Sequence, residues 1–246
     1  MTITKTTIQT FAALMLIAVP VIVGAWWGMT GEDSSICRHL TIRIEDGRER
    51  QYVEAGEMIV LLRQQQLYPV GKPMRQIPLQ QIEEAVLSHT MVRTAQCYAT
   101  GDSTIVVRLT QRIPLLKVTT ATESYYVDTD RERMPLSAKV NAEVIAVTGR
   151  VGERMAKDEI ADFVLWLKDN TYWSVRIVRI DIMEGKQLLL YQADQQPRIV
   201  LGRLEGYEDK LHRVRLFQET LPVKLPDAPT YKELDVRYKG QVVGRK

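Results

Sequence analysis

The sequence has 246 residues, of which 45% are hydrophobic and 26% are charged, a composition typical of a folded protein rather than a disordered one. Its 33 lysines and arginines nearly balance its 30 aspartates and glutamates, and the net charge of +3 argues against a nucleic-acid-binding protein. Two cysteines and three histidines leave little room for a metal site of the Cys/His type.

An uncharged stretch near the N-terminus indicates a membrane anchor. Residues 6–31 carry no charge, and the mostly apolar residues 8–29 suffice to cross the hydrocarbon core of a bilayer, which takes about 20 residues. Trp26 and Trp27 lie at the end of this stretch, where the membrane–water interface favours them and where a cleaved signal peptide would have small residues. The pattern therefore predicts an uncleaved transmembrane helix at 8–29 in the lipid bilayer, after a short cytoplasmic tail at 1–7.

The charges on either side of this helix predict its orientation. Lys5 precedes the helix and acidic residues follow it, and positive charge prefers the cytoplasmic side of a membrane. Residues 32–246 are therefore expected outside the cytoplasm. An oxidising compartment would permit a disulfide between Cys37 and Cys97, although two free, partly buried thiols are the favoured interpretation.

The first segment after the anchor predicts a small domain of two helices on a sheet. Leu40, Ile42 and Ile44 alternate with polar residues, as in a half-buried strand. The elements that follow are a helix at 57–66, a second helix that begins at Pro78, and a hairpin with strands at 92–99 and about 105–109 around a turn at Gly101 and Asp102. This strand–helix–helix–strand–strand order is predicted for residues 37–110 and would bury both helices on one face of a sheet.

From residue 111 onward strands dominate, so residues 111–246 are predicted to form a larger mixed β-sheet domain with flanking helices, and the fold class is α+β. The predicted strands are Leu115–Thr119, Tyr125–Asp128, Val144–Thr148, Val175–Ile182, Gln187–Gln192, Arg198–Leu201, Lys232–Tyr238 and a very short Gln241–Val243. Two amphipathic helices, around 160–167 and 211–221, lie between them, and Pro222 is expected to end the second.

The sequence contains no motif for catalysis, a metal or a cofactor. The histidines, at 39, 89 and 212, are scattered, and the acidic pairs Glu83-Glu84 and Asp128/Asp130 are typical of solvated surfaces and turns. The basic cluster of Lys210, Arg213 and Arg215 could bind an anion, but the polar face of an amphipathic helix explains it better. No enzyme, no cofactor and no small-molecule substrate are therefore predicted.

Several short motifs occur in a familiar order after the single predicted span. They are Gln111-Arg112-Ile113-Pro114, Tyr125-Tyr-Val-Asp128, Met134-Pro-Leu-Ser137, Leu201-Gly202-Arg203 and Asp235-Val236-Arg237-Tyr238. By their order and spacing the chain resembles the FtsQ/DivIB family of bacterial cell-division proteins, in a short-tailed form similar to that of Bacteroidetes. The resemblance implies a POTRA-like domain at 37–110 and a non-catalytic scaffold of the division machinery. It also implies location in the inner membrane at the septum, with residues 32–246 in the periplasm.

The resemblance also implies partners and a binding strand. In the family the periplasmic part joins two single-span coiled-coil proteins, FtsB and FtsL, and other septal proteins, and its last strand receives a strand from FtsB. That strand maps onto Tyr238, Gly240, Gln241, Val242 and Val243. A short strand at a chain end is expected at a sheet edge, where unpaired backbone groups can accept another strand. The alternative is that Val242 and Val243 merely complete the sheet and cover the core.

Two other functions stay open on the sequence alone. One is a POTRA-bearing adaptor of a secretion or outer-membrane assembly system, which would usually carry several POTRA copies or a barrel. The other is a membrane-anchored enzyme acting on peptidoglycan, which would need a nucleophile, a metal or an acid–base pair.

Overall fold

The computed structural model describes residues 35–136, 142–193, 196–224 and 230–246. The transmembrane helix predicted at 8–29 and the tail before it lie outside these ranges. Within the ranges, none of the helices has the length and apolar character that a membrane span requires. The described residues form an α+β fold with a three-stranded sheet and a nine-stranded sheet.

The three-stranded sheet belongs to a small N-terminal domain. Its elements are strand β1 (His39–Ile44), helix α1 (Ala55–Gln64), helix α2 (Leu79–Leu87), strand β2 (Val92–Thr100) and strand β3 (Thr104–Gln111). Strand β3 is central, parallel to β1 and antiparallel to β2. The predicted strand–helix–helix–strand–strand order is confirmed, because the alternating and helical apolar patterns place their residues in one core.

Each helix of this domain buries one apolar face, although Ile59, which the sequence periodicity places on the face of Leu62, is only partly buried. Met58 and Leu62 of α1 and Ile82 and Val86 of α2 are completely buried in the core. Helix α1 begins with a capping box: the Glu54 side chain accepts the N–H of Glu57, and the Glu57 side chain accepts the N–H of Glu54 at 3.1 Å. Burial of four aliphatic side chains supplies most of the attachment of the helices to the sheet, since each contributes roughly 1.5–3 kcal/mol.

Gln111, the last residue of β3, fixes the loop between β1 and α1. Its side chain is almost completely buried, and Oε1 accepts the N–H groups of Tyr52 and Val53 at 2.8 and 2.9 Å. Its Nε2 donates to Asp46 at 3.2 Å and to the carbonyl of Arg50 at 2.8 Å. One side chain thus forms hydrogen bonds with backbone groups of a loop that pairs with no strand.

The nine-stranded sheet forms the second domain with two main helices. The elements are β4 (Pro114–Thr119), β5 (Ser124–Asp128), β6 (Arg133–Met134), β7 (Ile145–Gly149), α3 (Ala161–Asp169), β8 (Ile177–Met183), β9 (Gln187–Gln192), β10 (Arg198–Gly202), α4 (Tyr207–Lys224), β11 (Glu233–Asp235) and β12 (Val243–Arg245). The strand order is β12-β11-β10-β9-β8-β7-β4-β5-β6. The sheet is mixed: β4, β7 and β8 run parallel, as do β10 and β11. Both helices contribute apolar residues to one core with this sheet.

Several local features differ from the sequence prediction. Strand β11 covers only Glu233–Asp235, although Lys232–Tyr238 is predicted. Strand β6 has only two residues and was not predicted, since two residues show no periodicity. Helix α3 continues from a short helical turn and a π-helical segment, Ala156–Ile160, that apolar spacing does not reveal. Helix α4 runs to Lys224, so the prediction that Pro222 ends it is wrong. Leu211 and Val214 are fully buried, and this packing stabilises α4 more than one missing backbone donor near its end destabilises it.

The two domains are joined through the turn after β5. Arg93 of β2 forms a two-pronged ion pair with Asp130, at 2.5 and 2.6 Å, and Arg112 Nη1 lies 2.6 Å from the buried Asp128 carboxylate. Tyr126 and Met134 of the second domain are buried in the core of the first. One edge of the nine-stranded sheet therefore ends inside the contact between the domains.

Candidate partner-binding edge

Strand β12 forms the other edge of the nine-stranded sheet. It pairs antiparallel with β11, with Leu234 opposite Gly244, and no described strand lies on its outer side. We call this outer side of Val243–Arg245 the terminal edge. The predicted site residues lie at or just before it, on the connection from β11, so the structure brings the predicted set together in one place.

The five predicted residues have different environments. Tyr238 is 54% exposed, and Gly240 adopts a left-handed conformation with φ of 71° in the turn. Gln241 is exposed, Val242 packs partly against the core, and Val243 opens β12 with 37% exposure. Val242 therefore fits in part the alternative that the two valines merely cover the core, and the exposed Val243 does not fit it.

The predicted bounds of the last strand are wrong by two residues. Residues 241–243 were expected, whereas the ladder with β11 covers Val243–Arg245. The cause is Arg213 of α4, whose guanidinium donates to the carbonyls of Val236, at 3.3 Å, of Tyr238, at 3.0 Å, and of Gln241. Because these carbonyls bond to a side chain instead of a strand, pairing starts only after them.

Ion pairs on the open face of the sheet attach β12 to its neighbours. Arg245 lies 3.1 Å from Glu233 and 3.0 Å from Asp235, and Arg198 of β10 also pairs with Glu233 at 3.0 Å. Arg237 adds a second, bidentate contact to Asp235, at 2.9 and 2.6 Å. The sequence motif contains Asp235 and Arg237 but does not indicate these ion pairs. The alternation Glu233-Leu234-Asp235 signals that both acids share a face, but Arg198 and Arg245 come from other strands.

Asp235 is the centre of this arrangement. Its side chain is fully buried, and hydrogen bonds from Arg237 hold the pKa of its carboxyl below the usual value, with a further contribution from Arg245. The same hydrogen bond raises the pKa of Arg237. A buried carboxylate with two cations is a fixed attachment for β12, since removal of one partner would leave the other charge uncompensated.

Gly244 lets β12 approach the aromatic layer beneath it. A Cβ atom at this position would collide with the ring of Tyr231, reaching within 2.9 Å of its Cγ. Tyr231 in turn packs on Phe217 of α4, with ring centres 5.8 Å apart. The tyrosine ring therefore fills the place of the missing side chain, as aromatic residues do for edge glycines.

The terminal edge presents backbone groups that pair with no strand in the described part of the chain. The N–H of Lys232 donates to the carbonyl of Arg245 at 2.9 Å, so the backbone of Arg245 faces β11. Because backbone groups of successive residues point to opposite sides of a strand, those of Gly244 and the N–H of Val242 face outward. An added strand could satisfy them, which is the physical basis of β-strand addition.

An apolar groove adjoins this edge on the α4 side. Its cavity of about 420 Å³ is lined by residues of α4, among them Leu216, Phe217 and Thr220, and by Gly240 and Val242. Leu216 is 48% exposed here. Val242 and Gly244 lie on the α4 side of the strand, so a strand paired with them would place alternate side chains next to the groove.

The other sequence candidates have structural roles. His39 and His212 are exposed, and His89 Nδ1 accepts the N–H of Met91 at 3.3 Å. Both thiols are free, and burial and nearby Glu83 raise the pKa of Cys97 to about 11, so this thiol is protonated at neutral pH. Across the described ranges, no group of His, Cys, Asp and Glu side chains has the arrangement of a metal site.

The acidic pairs and the basic cluster also bond within the chain. Glu83 accepts the N–H of Cys97 at 3.0 Å, and Asp128 and Asp130 bind arginines at the domain contact. Lys210 donates to the carbonyl of Arg203 at 2.7 Å and Arg215 pairs with Glu219 at 2.9 Å. Together with the three carbonyls on Arg213, these bonds support the structural interpretation of the basic cluster.

Comparisons with known proteins identify both domains. Residues 35–110 match the model of a POTRA-like domain, and residues 113–245, more than half of the chain, match the model FtsQ/DivIB, C-terminal related. A search of curated proteins found no match. The two domains suggest a role as a cell-division scaffold, in a family that is generally non-enzymatic and associated with the inner membrane at the division site. The chain therefore belongs to the FtsQ/DivIB family.

Proposed function

We propose that this chain is a non-catalytic, membrane-anchored scaffold of the bacterial divisome that captures an FtsB-like partner by strand addition at the terminal edge. The observation that carries the proposal is an edge strand that is attached firmly on one side and has no described strand on the other. An FtsL-like protein joins through the same coiled-coil complex, and other septal proteins follow. Residues 8–29 anchor the scaffold in the inner membrane, with residues 32–246 in the periplasm.

The attachment of β12 supports a receiving role. A flexible terminal strand would lose conformational entropy on binding a partner, at about 1–2 kcal/mol for each residue ordered. Here Arg245, Arg213 and the Tyr231 ring already hold the strand in a paired conformation. A partner strand then loses its own freedom but does not need to order the receiving strand as well.

Two variants of one residue separate backbone capture from side-chain packing. The full-length chain in detergent is mixed with the organism's FtsB-like and FtsL-like proteins, and complex formation is measured. Val242→Pro removes an outward N–H and is expected to weaken capture about tenfold or more. Val242→Ala keeps the N–H and is expected to weaken capture only slightly.

The outcomes distinguish the parts of the proposal. Unchanged capture by a Val242→Pro chain with wild-type melting would show that the terminal edge is not the contact. Failure of the wild-type chain to capture either partner would contradict the partner assignment. Depletion of the chain in cells should produce undivided filaments, and normal septation would contradict the division role.

The other two functions have less support. An adaptor for secretion or outer-membrane assembly does not account for the match of residues 113–245 to a division-protein family. A peptidoglycan-acting enzyme is tested by murein cleavage with the full-length chain. Cleavage lost on mutation of an acid in the cavity beside Tyr207, such as Glu159→Gln or Asp162→Asn, would overturn the non-catalytic proposal.

A further inference from the structure

A second surface lies on the opposite flank of helix α4 from the groove. In the turn between α3 and β8, the guanidinium of Arg176 lies over the ring of Tyr172, 3.8 Å from its centre. The guanidinium of Arg215, from α4, lies over the same ring at 4.9 Å. We call these three residues the Tyr172 cluster. Two cations on one aromatic ring attract the ring but repel each other, so the arrangement favours a nearby anion.

The cluster is held in place before any ligand binds. Tyr172 donates its hydroxyl hydrogen to Gln218 at 3.1 Å, and its N–H donates to Asn170 Oδ1 at 3.0 Å. Arg176 Nη1 donates to the carbonyl of Tyr172 at 2.8 Å. The next residue, Trp173, is buried in the core and packs edge-on against the Tyr172 ring at 4.8 Å. Ligand binding would therefore order few additional side chains.

Within the described ranges, the positive charges of the cluster exceed its negative charges. Arg215 pairs with Glu219 at 2.9 Å. Arg176 has no carboxylate within ion-pairing distance among the residues that the structure describes, and most of its guanidinium donors are left for a ligand. A planar guanidinium with free donors suits a carboxylate, which accepts two parallel hydrogen bonds from it.

Most other described arginines that stack on a tyrosine also pair with an acid, unlike Arg176. Arg179 lies over Tyr191 at 3.7 Å but pairs with Asp181 at 3.3 Å. Arg108 and Arg133 also stack on tyrosines and pair with glutamates. Arg63 stacks on Tyr68 without an acid, but it lies in the last turn of α1, whose carbonyl end attracts a cation. Among the described arginines that stack on a tyrosine, Arg176 alone shares the ring with a second cation and has no carboxylate within ion-pairing distance.

The surroundings of Arg176 favour a peptide over a small anion. Val175, its neighbour, is 72% exposed, more than any other large apolar side chain described. A cavity of about 540 Å³ beside it is lined by Gln192, Gln196 and Gln218, which carry amides, and by Glu219, which pairs with Arg215. Apolar surface, amide groups and a stacked arginine together resemble the central contacts of protein interfaces, where tyrosine and arginine are enriched.

We infer that the Tyr172 cluster docks an acidic segment of a partner protein, with an aspartate or glutamate on Arg176 and an adjacent apolar side chain on Val175. The site is separate from the terminal edge and does not depend on the proposed strand capture. Helix α4 lies between the two surfaces, so the scaffold has room for two partners at once.

Matched peptides test this inference on the full-length chain in detergent. The probes are short peptides with a central leucine, isoleucine, valine, phenylalanine or methionine flanked by glutamates, and the same peptides with glutamines in place of the glutamates. Fluorescence anisotropy of labelled peptides measures binding. At least one glutamate peptide is expected to bind about tenfold more tightly than its glutamine counterpart. Equal binding of every pair, or no binding at all, would overturn the inference.

Three variants locate the contact. Arg176→Gln is expected to weaken binding of the glutamate peptide about tenfold, and Val175→Asp, at an exposed position, is expected to weaken it similarly by placing a competing carboxylate beside Arg176. Arg179→Gln is the matched control and should leave binding unchanged. Unaltered binding by folded Arg176→Gln chains would contradict the inference. So would binding of inorganic phosphate or phosphatidylglycerol vesicles, but not of peptides, in an Arg176-dependent manner.

Discussion

The two edges of the nine-stranded sheet differ in exposure: one is buried and the other is exposed. At one edge, β6 is only two residues long, and Met134 is almost completely buried in the core of the neighbouring domain. At the other edge, β12 leaves Val243 and Arg245 exposed and has no described strand on its outer side. Both edges belong to one sheet, so the difference comes from what surrounds each strand.

The comparison shows how an edge strand can be held in an ordered conformation while its outward backbone groups stay accessible. Open edges invite unwanted pairing, and proteins usually shorten, cover or charge them. The β6 edge is short, and the core of the N-terminal domain covers the side chain of Met134. The β12 edge keeps its outward backbone groups and is held from behind by Arg213, Arg245 and Tyr231. Its charged residues limit nonspecific pairing but leave the ladder groups accessible.

The largest expected effect is at the covered edge. Met134→Ala would leave a cavity between the domains and lower the free energy of unfolding by about 3 kcal/mol. Chemical denaturation of the full-length chain measures this loss. Leu136→Ala, two residues on and 41% exposed, is the control and should change stability by less than about 0.5 kcal/mol. Equal losses would mean that β6 is not buried in the contact.

The buried acid behind the open edge gives the next effect. Asp235→Asn keeps the shape but removes the charge that two arginines share, and it should cost about 2 kcal/mol at neutral pH. Because the pKa of Asp235 is lowered on folding, its contribution is complete above the ordinary value near 3.8 and is lost as the pH falls through the folded value.

Denaturation of wild type and Asp235→Asn across pH measures this dependence. The stability difference should be constant at neutral pH and shrink in the acid range below the ordinary value. Asp158→Asn, which removes an exposed partner of Arg154, should show almost no difference at any pH. A difference for Asp235→Asn that grows as the pH falls would contradict the assigned ion pairs.

A smaller effect is expected at Gly244. Gly244→Ala should force the Tyr231 ring to move and cost about 1.5 kcal/mol. In a Tyr231→Ala background the same change should cost much less, since the ring is gone. The double-mutant cycle measures this coupling, and Gly101→Ala, with open space around its Cβ position, is the control. Additive losses would show that Tyr231 does not fill the glycine site.

The smallest effect concerns the exposed ion pair across the domains. Arg93→Gln removes the two-pronged contact with Asp130, in which both side chains are 39% exposed. Water screens such pairs, so the loss of stability should be below about 1 kcal/mol and should shrink further in high salt. Thermal melts at low and high salt check both expectations. A loss comparable with that of Met134→Ala would show that the ion pair carries the domain contact.

Much of the fold follows from periodic apolar patterns. Strand β9 has the bounds that the sequence predicts, Gln187–Gln192, and helices α1 and α2 lie within two residues of their predicted starts. The two helices bury residues three to four positions apart, whereas β9 is a short apolar run between polar residues, and a sequence displays both patterns directly. The motifs at the domain junction and at Leu201-Gly202-Arg203 likewise indicate the family by residue type alone.

The remaining features depend on contacts between distant residues. The shift of β12 comes from Arg213, which is separated from the carbonyl of Gln241 by 28 positions. Arg245 forms ion pairs with Glu233 and Asp235 of β11, and no local sequence pattern pairs Arg245 with these acids. The Tyr172 cluster combines a turn with a helix in the same way. Sequence reasoning placed a short last strand near the end of the chain but did not identify the contacts that hold it.

Gln111 has a consequence for any attempt to separate the two domains. The matched family regions end at residue 110 and resume at 113, which invites a cut between them. A fragment that ends at residue 110 would lose the acceptor for the N–H groups of Tyr52 and Val53 and the donor to Arg50. Gln111 is the last residue of β3 and belongs structurally to the smaller domain, so an autonomous version of that domain must extend through Gln111.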